Sequence, residues 1–221
     1  MFGWKIWEDV QVRLCRETGG QVAMADYVLV HGGHKDGSIW DKVVPLLEEK
    51  GHRVCAPSLP DAETSILEEF ISAVCRLLED EGLHDIVLAG HSSGALTITG
   101  VADRMPERVG HLVYVDSSVP IVGKSLYGMF EDLGISPAQY DLPQDPPWLE
   151  PLYFDAEKIR RIPKTYVFCT QGEFKAVAEP FYEKVKRNAE RDGWNYYALD
   201  SGHECMVSHP AELAHILLAQ G

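Results

Sequence analysis

Six short apolar runs, separated by amphipathic or glycine-rich stretches, constrain this chain more than any other feature. They cover residues 27–30, 53–56, 86–89, 112–115, 165–169 and 195–199. Strands that are apolar throughout need cover on both faces, which implies a parallel sheet between layers of helices. The intervening stretches supply those helices. Trp40, Val43, Val44 and Leu47 recur at i, i+3, i+4 and i+7 within residues 38–50, until Gly51 stops the pattern. Ser65 and Glu68 read as a capping box that opens a helix with Leu67, Phe70, Ile71, Val74, Leu77 and Leu78 on one face. Further helical stretches run from Gly94 to about Arg104, from Pro180 to Arg191 and from Pro210 to Ala219. The expected class is α/β, with a mostly parallel sheet and helices on both faces.

The rhythm breaks once. Residues 119–163 hold seven prolines and little periodicity, and read as an insertion over one edge of the sheet. The expected organisation is therefore a core of 24–118 and 164–221, a cap or lid at 119–163, and an N-terminal extension or edge strand at 1–23. A length of 221 residues favours one large domain.

Acidic residues outnumber basic ones, 34 to 20, for a net charge of −14, and no Lys/Arg run occurs. A phosphate backbone or an anionic membrane needs a basic stripe, so neither is an expected partner. No stretch approaches the ~18 apolar residues of a membrane span, and the first dozen residues lack the apolar segment of a secretory signal. Five scattered cysteines form neither metal-binding pairs nor a disulfide framework, which fits a reducing cytoplasm.

Chemistry enters at Gly90-His91-Ser92-Ser93-Gly94, a G-x-S-x-G pentapeptide between an apolar run and a helical stretch. A nucleophile elbow needs that context: the serine sits on a sharp strand-to-helix turn, and the glycines remove side chains that would collide there. An alternative is an ordinary turn whose serine caps the helix. Backbone N–H groups of Gly33, in the loop His31-Gly32-Gly33, and of Ser93 can form an oxyanion hole. The general base must be a histidine, and His203, in a loop after the last apolar run, fits the chain order serine, acid, histidine. His91, His209 and His215 read as structural or exposed.

With these motifs goes a run of matches over about residues 24–220: 28–33 with Trp40, 45–54, 88–95, 112–116 with Pro120, and Gly202-His203 with Pro210. The chain resembles the α/β-hydrolase superfamily, in particular plant methyl esterases, hydroxynitrile lyases and their small bacterial esterase relatives. The resemblance implies the α/β-hydrolase fold and an acid after the run 165–169. There an ungapped comparison puts Gly172 where Asp is expected. Glu173 is favoured as the acid with one residue of slack, and Asp116, which ends the preceding run, is the alternative. Hydroxynitrile lyases of the group carry Thr in the oxyanion loop and Lys after the histidine; this chain has Gly32 and Glu204.

The expected function is a serine hydrolase that cleaves a small, largely apolar carboxylic ester or lactone through an acyl-enzyme. A hydrolase-fold receptor with little turnover is the alternative, and thioester or C–C cleavage stays open among enzymes. Trp148, Phe130 and Tyr127 of the insertion are candidates for the substrate pocket. Six carboxylates against one lysine in 119–155 disfavour a phosphate-bearing thioester. Nothing calls for a metal or organic cofactor, and both monomer and homodimer are open.

Overall fold

In a computed structural model, which describes residues 24–142 and 144–221, each apolar run becomes a strand. The strands are β1 (Asp26–Val30), β2 (Arg53–Cys55), β3 (Ile86–His91), β4 (Val109–Val115), β5 (Lys164–Cys169) and β6 (Trp194–Leu199). All pairings are parallel, in the order β2-β1-β3-β4-β5-β6. The expectations for residues 1–23 lie outside the described residues.

The two-residue period of a strand divides the core cleanly. Tyr27 and Leu29 join Val113, Val115, Val167 and Cys169 on one face, under α1 (Val44–Glu48), α8 (Cys205–Ser208) and α9 (Pro210–Leu218). Val28 and Val30 join Leu112, Tyr114, Tyr166 and Phe168 on the other. That face carries α2 (Leu67–Asp80), α3 (Gly94–Arg104) and α7 (Lys175–Asp192), together with the insertion. Inside 119–163 lie three short helices, α4 (Leu126–Asp132), α5 (Pro146–Leu149) and α6 (Ala156–Arg161).

Local boundaries differ from the sequence reading in instructive ways. The stretch 38–50 splits into a 3-10 turn, Gly37–Trp40, and α1, with Pro45 in the first turn of α1 where its missing N–H costs least. The capping box slides by one residue: the Glu69 carboxylate accepts the Ile66 N–H at 2.9 Å. Glu68 is drawn instead to Arg104 and Ser72. Helix α7 starts at Lys175, not Pro180, because the Gly172 and Phe174 carbonyls already accept its first N–H groups.

Candidate active site

The expected catalytic and oxyanion-hole residues follow the carboxyl ends of the strands, whereas Tyr127, Phe130 and Trp148 lie in short helices of the segment 119–163. After β3 the chain turns into α3 within two residues, and Ser92 takes the left-handed region at φ 53°. A side chain there costs energy, which the surroundings must offset. The Ser92 N–H donates to the Val115 carbonyl at 3.0 Å, and the Ser92 carbonyl accepts from Ala95 at 3.2 Å. The glycines that bracket the turn are needed sterically. A Cβ on Gly90 would lie 2.8 Å from the Gly94 carbonyl oxygen, and one on Gly94 would lie 2.6 Å from that of His31.

The β1 loop crosses directly over this serine, because a Cβ on Gly32 would stand 2.8 Å from Ser92 Cβ. His31 holds the loop. Its Nδ1–H donates to the Gly32 carbonyl at 2.8 Å, and its Nε2 accepts the Leu59 N–H at 2.9 Å. Burial pushes its pKa below the usual histidine value, in keeping with a neutral structural ring. Gly33 and Ser93 both line the cavity beside Ser92, and neither N–H has an acceptor among the described residues.

His203 is buried, and its Nδ1 lies 2.6 Å from Asp116 Oδ2. Asp116, itself at φ 42°, is fixed on both sides. Its N–H donates to the Val167 carbonyl at 2.7 Å, and its Oδ1 accepts the Cys169 N–H at 2.9 Å. The favoured acid, Glu173, stands elsewhere: it is exposed at the cavity rim and has no hydrogen bond to His203. Gly172 gives the physical reason. A Cβ at that position would come 3.0 Å from Asp116 Oδ2 and 3.3 Å from the His203 nitrogen. The carboxylate of Asp116 therefore occupies space that a side chain at 172 would need.

Around this pair lies a cavity of about 220 Å³ that also includes Ser92. Phe174 packs against the His203 ring at 4.5 Å between centroids, with Tyr140 stacked on Phe174 at 4.8 Å. The His91 ring lies 4.4 Å from that of His203 between centroids and donates Nε2–H to the His203 carbonyl at 3.1 Å. Complete burial holds the His91 pKa well below the normal range, so its ring stays neutral. Lys35 and Glu204 form an ion pair that joins the β1 loop to the His203 loop.

Trp148 and Phe130 line the cavity; Tyr127 does not. The Tyr127 hydroxyl turns to the Leu142 carbonyl, 2.7 Å away, and ties down the insertion. Trp148 also borders a second cavity of about 160 Å³, on the side of Leu59, Asp61 and Glu63. Its ring leaves no room for a Cβ on Gly33, which would fall 2.8 Å from Cζ2. Sequence reasoning missed Phe174, the His91 contact and the two serines after Asp116 that line the cavity. A signal for the last was available, since Gly172 at the expected acid position directs attention to the neighbouring strand end.

A family model described as "Alpha/beta hydrolase family" matches residues 27–157. The carbendazim hydrolyzing esterase of Nocardioides sp. (strain SG-4G) is 39% identical over 114 residues, 48% of this chain and 47% of that protein. Methylesterase 9 of Arabidopsis thaliana is 37% identical over 108 residues, 44% of this chain and 41% of that protein. The chain thus matches about half the length of these curated relatives. Among solved structures, an extracellular alpha/beta-hydrolase from a Paenibacillus species superposes with a TM-score of 0.67 at 20% identity, over 89% of this chain and 99% of that one.

Proposed function

This chain belongs to the alpha/beta-hydrolase family, and we propose that it is a serine hydrolase of small carboxylic esters or lactones. The observation that carries the reading is the His203–Asp116 contact of 2.6 Å in the cavity that holds Ser92 on a strained turn. Relatives named as esterases support the choice of bond.

In this reading Ser92 Oγ attacks the ester carbonyl carbon as its proton passes to His203 Nε2. Asp116 accepts the Nδ1–H bond, which sets the tautomer and stabilises the imidazolium. The unpaired N–H groups of Gly33 and Ser93 receive the negative charge that develops on the carbonyl oxygen. Collapse of the tetrahedral intermediate breaks the carbon–oxygen bond, and the alcohol leaves with the proton from His203. Water, deprotonated by the same nitrogen, then attacks the acyl carbon and restores Ser92. The four described cysteines are free thiols, which supports a reducing cytoplasmic location. No helix among the described residues is long and apolar enough to cross a membrane.

Turnover of p-nitrophenyl acetate, with stoichiometric fluorophosphonate labelling, tests the reading. Both should vanish in Ser92→Ala. A wild-type rate no faster than that variant sinks it, and a single product burst without further turnover points to a receptor instead.

A further inference from the structure

Two side chains in the cavity have no part in the proposed chemistry. Ser117 and Ser118 follow Asp116, line the cavity and are each 4% exposed. Their hydroxyl oxygens are buried, and neither has a hydrogen-bond partner among the described residues. A buried hydroxyl without a partner costs free energy, so a fold that keeps two side by side in its catalytic cavity calls for an explanation. Slack backbone is not that explanation. The Asp116 N–H is tied to Val167, and the Tyr166 hydroxyl donates to the Ser117 carbonyl. The segment also adjoins the reacting serine, because the Ser92 N–H donates to Val115, immediately before Asp116.

We propose that Ser117 and Ser118, whose hydroxyls turn from the wall into the cavity by rotation about χ1, form a polar subsite for a neutral hydroxyl or carbonyl oxygen carried by the ester substrate. This rests on the serine-hydrolase reading and narrows its substrate class from apolar esters to those of hydroxy- or oxo-substituted acids or alcohols. The cavity's charges select a neutral oxygen. Asp141 and Glu173 line the same space, and its lysine, Lys35, is already paired with Glu204. An anionic substituent would meet uncompensated carboxylates. A substrate hydroxyl both donates and accepts, so it can satisfy the two serine hydroxyls at once. The rest of the wall, with Phe130, Leu142, Phe174 and Val177, suits the hydrocarbon remainder.

Matched esters that exchange a hydroxyl for a methyl group test this on each side of the scissile bond. For the acyl side the pair is p-nitrophenyl 3-hydroxybutanoate and p-nitrophenyl 3-methylbutanoate. For the alcohol side it is 2-hydroxyethyl butanoate and propyl butanoate. In one pair kcat/KM should favour the hydroxylated ester by about tenfold or more, because a site built for a hydroxyl rejects the analogue that lacks it. Ser117→Ala and Ser118→Ala, singly and together, should erase that preference, bringing the hydroxylated ester down to the kcat/KM of its methyl analogue. Their melting temperatures should match or exceed the wild type, since no bond within the protein is lost. No preference in either pair, a preference that survives the double variant, or a fall of several degrees in melting temperature overturns the subsite. If the wild type turns over no ester at all, the hydrolase reading fails separately. The subsite is then judged from dissociation constants of the two butanoates and of methyl 3-hydroxybutanoate and methyl 3-methylbutanoate, measured by titration calorimetry on Ser92→Ala.

Discussion

Strands β4 and β5 carry buried polar groups at both ends, and the two ends are finished differently. At the amino end His111 Nε2–H donates to Thr165 Oγ1 at 2.8 Å, and the threonine hydroxyl in turn donates to Gln220 Oε1 at 2.9 Å. That chain of bonds pins the end of the last helix to the sheet. At the carboxyl end Asp116 takes a left-handed backbone, its carboxylate meets His203, and two hydroxyls beside it are unpaired. Satisfied polar groups specify a fold, whereas strain and unused bonding capacity mark a place where a ligand completes the set. Stability should therefore reside at one end of the strand pair and turnover at the other.

The largest test of that division removes the acid. Asp116→Asn keeps the volume but offers an amide where Nδ1–H needs an acceptor. By analogy with the Asp→Asn change in a serine protease triad, kcat should fall by up to ~10⁴. Glu173→Gln, at the exposed rim, should stay within about threefold. Steady-state ester hydrolysis at equal folded fraction ranks the two, and the reverse order would return the role to Glu173.

A second experiment moves the acid between strand ends. Gly172→Asp alone drives a side chain to within 3.0 Å of Asp116 Oδ2 and sets two carboxylates against each other. Displacement of Asp116 from Nδ1 should lower kcat by about 10². Asp116→Ala with Gly172→Asp frees that space, and should recover about tenfold over Asp116→Ala alone if a carboxylate from β5 can reach His203. Failure to recover would mean that the loop after β5, and not steric exclusion, fixes the acid on β4.

The smallest effects belong to the amino end. Burial lowers the His111 pKa to about 4, below that of a histidine in an unfolded chain. The unfolded state therefore takes up the proton first. Stability is full above about pH 6.5 and is lost as pH falls through the window down to 4. His111→Gln, which can still donate to Thr165, should flatten that slope and leave kcat unchanged at pH 7.5. His111→Ala should cost about 1 kcal/mol through the lost hydrogen bond. Urea unfolding across the window measures both, and an unchanged slope in His111→Gln would refer the acid sensitivity to buried His31 and His91.

Much of this arrangement was legible in the sequence, for identifiable reasons. The central runs were apolar on both faces, so their positions survived without knowledge of their neighbours, although β4 starts at Val109 instead of Leu112 and β3 continues to His91. The turn at Ser92 announced itself because its glycines answer a local steric need. The choice between Glu173 and Asp116 stayed open in the sequence, because it depends on a contact between residues 87 positions apart. What the sequence offered there was the missing side chain at 172, whose meaning emerges only once Asp116 is seen to fill the same space. The place of Tyr127 was hidden for a related reason: composition puts an aromatic ring in the insertion, but only the fold brings its hydroxyl to the Leu142 carbonyl.

Trp148 borders both cavities, and it comes from a four-residue helix of the insertion instead of the sheet. Neither Ser92, His203 nor Asp116 depends on it for a hydrogen bond. In the proposed reading, the room offered to a substrate and the groups that would cleave it are encoded in separate stretches of chain. A lineage with this layout could exchange the ring for a smaller side chain, enlarge both cavities at once, and admit bulkier molecules without touching the loops of Ser92, Asp116 and His203. The proposed chemistry would carry over unaltered, so a change of substrate would not have to await a change of mechanism.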